Sequence, residues 1–277
     1  MSGKLYLVGT PIGNLGDMSD RMKNTLSQVD FIAAEDTRVS MKLLNHLGIK
    51  KPLVSYYEHN KIESGEKIIA RLTAGESCAL VTDAGMPAIS DPGEELVRLC
   101  AESGIETVAV PGPSAVVCAM ALSALPTGRF TFEGFLSTAK KSRFGHLEEL
   151  KCERRTMVFY EAPHKLRQTL SDMEKNFGSD RRISICREMT KLHEQTLRMT
   201  LGEAVRYYEN TPPRGEYVLV IDGYHGENAP KMDRETAVTE VLRLYNDGLP
   251  LKKASKEIAE ASGFSANELY NEALKLK

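Results

Sequence analysis

ALVTDAGMPAISDPG (Ala79–Gly93) decides how this chain is read. An apolar run, Ala79-Leu80-Val81, stops at Thr82-Asp83. A turn-rich segment follows, and a helical pattern then places Leu96, Val97 and Leu99 on one side. That order is strand, glycine-containing loop, helix, and in open α/β sheets ligands bind where such strands end. The loop holds Asp83 and Asp91 but no Lys or Arg. A di- or triphosphate site supplies cations or a Walker lysine, so this loop suits a neutral or cationic ligand. A purely structural crossover is the alternative.

The pattern recurs on both sides. Leu5–Val8 reads as a strand ending in Gly9-Thr10-Pro11-Ile12-Gly13-Asn14-Leu15-Gly16-Asp17, and Thr107–Val110 as one ending in Pro111-Gly112-Pro113-Ser114-Ala115. Phe31–Ala34 and Leu53–Tyr56 are further strands, with helices up to about Gln28 and Leu47, over Lys61–Thr73, up to about Ser103, and over Val116–Leu125. Such alternation predicts an α/β domain over 1–126, its parallel sheet covered on both faces and its glycine loops along one edge. Pro126–Phe135 reads as a hinge into a second α/β domain, 127–224. There a charged helix (Arg143–Lys151), strands at 156–160, 182–186, 195–200 and 217–221, and helices after His164 and at about 202–209 suggest a mixed sheet. Residues 225–277 comprise the rest of a polar linker (223–233) and a helical module whose Gly263 turn gives it a helix-turn-helix shape. Many helix pairs of this shape only pack or dimerise.

The 277 residues are 42% hydrophobic and 27% charged, ordinary for a soluble globular chain. Net charge is −2, which excludes a polyelectrolyte binder as a whole. Residues 129–187, however, carry 13 Lys/Arg against 8 Asp/Glu, and an anionic partner or simply a solvated face would explain that. Five cysteines without a Cys-x-x-Cys pair, no metal-ligand spacing among the six histidines, no apolar run near 20 residues and no leader pattern predict a reduced, cytoplasmic protein without metal or membrane span.

Gly9-x-x-x-Gly13-x-x-Gly16 is neither a dinucleotide fingerprint nor a P-loop. Three cation-free loops flanked by Asp17, Asp83 and Asp91 would suit S-adenosylmethionine (SAM), which has no phosphate and carries a sulfonium and an ammonium; other neutral ligands would fit as well. Glu35-Asp36-Thr37-Arg38, Glu161-Ala162-Pro163-His164-Lys165 and Arg187-Glu188-Met189-Thr190-Lys191 instead put mixed charges at strand ends, as catalytic groups or structural salt bridges do.

VGTPIGNLGD, AAEDTR, VTDAGMPAISDPG and VPGPSA resemble the N-terminal half of tetrapyrrole-methylase-type SAM-dependent methyltransferases. With FYEAPHK, ICREMTKLHE and PPRGEYVLVI, the chain resembles the ribosomal RNA small-subunit methyltransferase I family over nearly its whole length. The resemblance implies two α/β domains with SAM in the cleft between them, a C-terminal helical module, and a homodimer. It implies 2′-O-methylation of a cytidine in the decoding region of 16S rRNA, within the 30S subunit. Carried over, the cofactor contacts are Pro11; Ala84, Gly85, Met86 and Ile89; Ser114 and Ala115; Tyr160, Glu161, Ala162 and Met189; and Gly215, Glu216 and Tyr217, with Asp83 as a further polar contact or turn former.

Methyl transfer to a ribose hydroxyl needs alignment and is assisted by a base. The candidates are Asp36, Glu161, His164 and Glu188. Arg38, Arg187 and Lys191 are candidate phosphate or sugar anchors, and Lys140, Lys141, Arg143, Arg154 and Arg155 a candidate RNA-backbone surface. Two other functions are carried alongside: a tetrapyrrole C-methyltransferase of the same fold, and a non-enzymatic nucleic-acid-binding regulator acting through residues 250–277.

Overall fold

Five short strands alternate with helices through the first half of the chain: β1 (Leu5–Val8), β2 (Phe31–Ala34), β3 (Leu53–Ser55), β4 (Cys78–Val81) and β5 (Thr107–Val110). They form one parallel sheet in the order β3-β2-β4-β1-β5. Side chains alternate between faces, and both faces are buried. Phe31, Ala33 and Leu80 meet Ile68 and Leu72 of α3 (Lys61–Thr73) and Leu96 and Cys100 of α4 (Glu94–Glu102). Ile32, Ala34 and Val81 meet Met22 and Leu26 of α1 (Asp20–Gln28) and Leu44 of α2 (Thr37–His46). Ser19 caps α1 by accepting from Met22 N, as the expected start requires.

The fifth helix, α5 (Ala115–Leu122), behaves differently. It is apolar all round, so it needs cover on more than one side. Val116, Ala119 and Met120 pack on Val158, Cys186, Val218 and Val220 of a second sheet. That sheet contains β6 (Phe130–Phe135), β7 (Thr156–Glu161), β8 (Arg182–Arg187), β9 (Gln195–Thr200) and β10 (Tyr217–Ile221), in the order β6-β7-β10-β8-β9. It is antiparallel except for β6 with β7. Its other face carries α6 (Lys140–Glu149), α7 (Leu166–Phe177) and α8 (Leu201–Asn210), whose Leu147, Leu170 and Leu201 are buried against it.

The structure, a computed structural model, describes residues 2–226 and 233–276. Contacts divide the chain into Met1–Gly223, which holds both sheets, and Tyr224–Lys277. The second unit is three helices, α9 (Arg234–Asn246), α10 (Leu251–Ser262) and α11 (Ala266–Leu276), around Ala237, Val241, Ala254, Leu269 and Ala273. Gly263 (φ 78°) ends α10, which gives the expected helix, glycine turn and helix. Residues 227–232 of the expected linker lie outside the described residues. Among the described residues no helix is long and apolar enough to cross a membrane.

One expectation needs correction. Pro126–Phe135 is not merely a hinge, because its last six residues form the edge strand β6. A register shift between Phe132 and Gly134 breaks the alternation, and Phe130 and Phe135 stay exposed, so the segment lacks the buried run that marks a strand.

Candidate functional site: a cleft between two sheets

β4, β1 and β5 are adjacent and parallel, so their C-terminal ends deliver three loops side by side. The first two are tied by a backbone exchange: Thr10 N donates to Gly85 O at 2.9 Å, and Gly85 N donates to Thr10 O at 3.1 Å. The Thr10 hydroxyl donates to Thr82 O at 3.1 Å. The first and third loops meet backbone to backbone. A Cβ on Gly9 would lie 2.7 Å from Gly112 Cα and 2.6 Å from Met86 Sδ, so only glycine allows that approach.

The opposite wall comes from the second sheet. Glu161 pairs with Tyr217 and Tyr217 with Arg187, which places the loops after β7, before β10 and after β8 at one edge. Tyr160 stacks edge-on with Phe132 at 5.0 Å and lies 5.4 Å from the ring of Phe135. It packs in one cluster with Ala115 and Met189. The loops of the two walls also approach each other at two points. A Cβ on Gly13 would lie 2.6 Å from Lys191 Cγ, and one on Gly134 would lie 3.4 Å from Ser90 Oγ. Both contacting loops are strained: Ala88 (φ 68°) and Ser90 (58°) in one, Glu188 (51°) and Thr190 (66°) in the other. Non-glycine residues persist there only when their surroundings enforce it, and such strain concentrates at functional sites.

Carboxylates dominate the first-sheet side. A cavity of about 490 Å³ is lined by Glu35, Tyr57, Glu58, Ala88, Ser90, Asp91, Pro92 and Glu94, with no cation among them. Thr82 Oγ1 donates to Glu35 Oε2 at 2.6 Å, and Asp36 N donates to Asp83 Oδ1 at 3.3 Å. Burial first, and then the Glu35 charge, push the Asp91 carboxyl up to about 6. The same two causes raise Asp83. Burial also pushes the Tyr160 phenol up to about 12, with the Asp91 charge as the second cause. Asp36 is the opposite case: hydrogen bonds from the Arg38 guanidinium and then its backbone N–H hold it at about 2.

A profile for Tetrapyrrole (Corrin/Porphyrin) Methylases matches residues 4–205, and one for the RsmI C-terminal HTH domain matches residues 233–277. Ribosomal RNA small subunit methyltransferase I of Synechocystis sp. is 46% identical over 275 residues, covering 99% of both chains. The protein of that name from Bacillus subtilis is 43% identical over 273 residues, covering 97% of this chain and 93% of its own. The chain belongs to the ribosomal RNA small subunit methyltransferase I family. Two solved structures share the fold of this family member. Uroporphyrin-III-C-methyltransferase from Thermus thermophilus has a TM-score of 0.56 at 19% identity, covering 79% of this chain and 94% of its own. The methyltransferase CobJ has a TM-score of 0.59 at 15% identity, covering 80% and 95%. The expected tetrapyrrole-methylase architecture of two sheets with helices is therefore present.

In this family member Gly85 and Met86 converge with the first and third loops, and Ala115, Tyr160 and Met189 converge across the cleft. Asp83, Ala84 and Ile89 are exposed on the second loop, Pro11 is partly exposed on the first, and Ser114 precedes α5 as its N-cap. Gly215, Glu216 and Tyr217 stand beside Glu188, since a Cβ on Gly215 would lie 2.5 Å from its carboxyl and Glu216 N donates to Glu188 Oε1 at 3.0 Å.

Three of the four candidate bases are already engaged. Buried Glu161 accepts from Thr169 Oγ1 at 2.5 Å and from Ala162 N at 2.8 Å, which fixes the β7–α7 turn. Glu188 accepts from Lys191 Nζ at 2.9 Å, and that ion pair lowers it. Asp36 is held by Arg38, while His164 is exposed at the same edge as Glu161.

The cation candidates divide. Arg143 is a correction: its side chain is 12% exposed and bonds to Asp172 at 2.9 Å and to the carbonyls of Ser137 and Thr138, so it is structural. Lys191 is another, because its ammonium bridges Glu188 and Glu216 (2.7 Å). Arg154 and Arg155 precede β7, at the far end of that strand from Glu161, and Arg155 pairs with Glu153. Lys140 and Lys141 are exposed at the start of α6, Arg38 is exposed beside Asp36, and Arg187 is at the cleft edge. Glu35 and Asp91 stand out in the sequence only as charges of the Glu35–Arg38 cluster and of the second loop, outside the candidate contacts and bases, and Arg214, whose carbonyl accepts from Arg187 Nε at 2.7 Å, does not stand out at all. The usable signal was the strand order, which sets β2 beside β4 and so puts Glu35 level with Thr82.

Proposed function

We propose that this chain transfers a methyl group from SAM to a cytidine 2′-hydroxyl of 16S rRNA, acting as a cytoplasmic homodimer on the small ribosomal subunit. The observation carrying the rRNA reading is the near-full-length identity, 41–46%, to several proteins named ribosomal RNA small subunit methyltransferase I. The cytidine and 2′-oxygen rest on the motif resemblance.

The residues present fit SAM. The three cleft loops carry no Lys or Arg to hold a phosphate, and Asp83 and Asp91 offer charge to a cation. When bound, SAM supplies an electrophilic methyl on sulfonium. The chain's own task is alignment and proton removal. The Gly9–Gly112 contact and the Thr10–Gly85 exchange fix the loop edge against which the donor would rest. Asp83, Gly85, Met86, Ser114, Ala115, Tyr160 and Met189 would hold it. Asp91, which lines the cavity, would take the proton a ribose hydroxyl loses: in the ligand-free chain its carboxylate, near 6, is a far stronger base than that of Asp36, near 2, and is still ionised at neutral pH.

Labelled SAM with 30S subunits, with naked 16S rRNA and with a tetrapyrrole precursor tests this. Label in an alkali-resistant ribose linkage is the expected result. Label in the tetrapyrrole and in no RNA would overturn it.

A further inference from the structure

The β8–β9 turn holds an apolar side chain on a braced support at the cleft edge. Leu192 is 93% exposed, the highest among the exposed large hydrophobics of the described residues. Everything beneath it is fixed. Lys191 N donates to Glu188 O at 3.1 Å, Glu194 N to Lys191 O at 3.1 Å, and Thr190 N to Glu194 Oε2 at 2.7 Å. Lys191 Nζ binds Glu188 and Glu216, while its side-chain carbons lie against Gly13 of the first-sheet loop. Two positive φ values, at Glu188 and Thr190, set the turn. A solitary exposed leucine needs no explanation by itself. This one stands on a turn braced by both sheets, at the edge where the cleft opens.

The charge around it is selective. Lys191 bridges Glu188 and Glu216 and offsets one of their two charges, and the Glu194 carboxylate is turned back onto Thr190 N. Arg187 and Arg214 make no ion pair with a carboxylate among the described residues. His193 is exposed next to Leu192 on the same turn, and His164 is exposed after β7. The result is an apolar tip on the turn that leaves β8 at Arg187, whose Nε holds the Arg214 carbonyl while neither guanidinium is paired with a carboxylate among the described residues, a combination suited to a strand of bases and phosphates. Enzymes that modify a nucleotide inside folded RNA must first unstack it, and an apolar side chain inserted at the step holds the gap open. A wedge does this only if it is rigid, since a mobile side chain would fold away instead.

We infer that Leu192 is such a wedge, entering the base step beside the target nucleotide while Arg187 and Arg214 hold the flanking phosphates. This rests on the RNA reading above. The test uses the full chain, 16S rRNA, and RNA fragments with 2-aminopurine 3′ of the labelled nucleotide, in folded and unpaired forms. On the folded fragment the wild type raises the fluorescence on binding and Leu192→Ala does not. kcat/KM of Leu192→Ala falls at least tenfold more on folded than on unpaired RNA, Leu192→Phe restores most of it, and SAM affinity and Tm are unchanged. Equal losses on both RNAs, or methylation by the wild type without a fluorescence rise, overturn the wedge and leave the RNA reading standing. A change of molecular mass in Leu192→Ala by light scattering also overturns it, by assigning Leu192 to a protein interface. No label in any RNA with the wild type removes both.

Discussion

Lowering the pH from 7.5 to 5 should weaken SAM binding about tenfold, and Asp91 should account for most of the loss. Its carboxyl titrates at about 6 because burial and the Glu35 charge disfavour the ionised form. With that value about 97% is ionised at pH 7.5 and about 9% at pH 5, so a permanent cation that gains only from the ionised form loses about tenfold in affinity. The same group acts on stability with the opposite sign. Its folded value lies above the ordinary 3.8, so its stabilising contribution is present in acid and lost as pH rises through about 6. Asp91→Asn should therefore stabilise the ligand-free chain at pH 7.5 by at most about 3 kcal/mol, from about two units at 1.36 kcal/mol each, while flattening the pH dependence of binding. Glu35, Thr82, Asp83 and Tyr160 also act on Asp91 or face it, and Glu58 and Glu94 share its cavity; the Asp91→Asn profile subtracts their share. Calorimetric titration of SAM from pH 5 to 8, with Tm at each pH, measures both effects. An affinity independent of pH in the wild type, or an unchanged slope in Asp91→Asn, refutes the placement of the cation beside Asp91.

Gly9→Ala puts a methyl 2.7 Å from backbone atoms of Gly112, which cannot yield as a flexible side chain can; it should lower stability by about 1–3 kcal/mol and weaken SAM binding, read from urea unfolding and titration. Asp172→Ala leaves Arg143 without its carboxylate in a nearly buried position and takes a partner from Gln168; the cost should be about 3–5 kcal/mol, with SAM affinity per folded molecule unchanged. Arg187→Gln with Arg214→Gln should weaken RNA binding and lower the salt slope by about 2, one per lost phosphate contact, whereas Arg154→Gln with Arg155→Gln, at the far end of β7, should alter it less. Filter binding across salt concentrations compares the two pairs.

The first sheet was legible because its physics is local. Short apolar runs ended at glycine, proline or aspartate, helical patterns ended at Gly48, Gly75 and Gly104, and βαβ alternation leaves few arrangements. The loops of the cleft could be quoted from the sequence for the same reason. What stayed hidden depended on neighbours distant in the chain. β6 is an edge strand with a bulge, so its pattern is irregular. Arg143 looked like a surface cation because nothing in the sequence says that Asp172, 29 residues later, lies beneath it. Lys191 looked like an anchor because the two carboxylates that claim it, Glu188 and Glu216, are 28 residues apart. Asp91 and Glu35 are visible as charges, but only the order β2-β4 brings them to one cavity and makes burial act on them together.

That separation of charge bears on how an RNA enzyme can tolerate an acidic basin. Glu35, Glu58, Asp91 and Glu94 repel phosphate from the cavity they line, while Arg187 and Arg214 sit at the opposite wall's edge and form no ion pair among the described residues. The Debye length is about 8 Å at physiological salt, so the acids would act most strongly on a phosphate inside the basin and less on one held outside it by that arginine pair. An arrangement of this kind admits a nucleoside and rejects its backbone. On the proposed RNA reading the target nucleotide would leave the stack while its neighbours' phosphates remain outside, the state that a rigid apolar tip at Leu192 would stabilise. The two features make one joint prediction. In Asp91→Asn, nucleoside capture becomes less exclusive and phosphate-containing mononucleotides should inhibit more strongly than they inhibit the wild type; equal inhibition by a nucleoside and its phosphate in the wild type would show that the basin does not sort them.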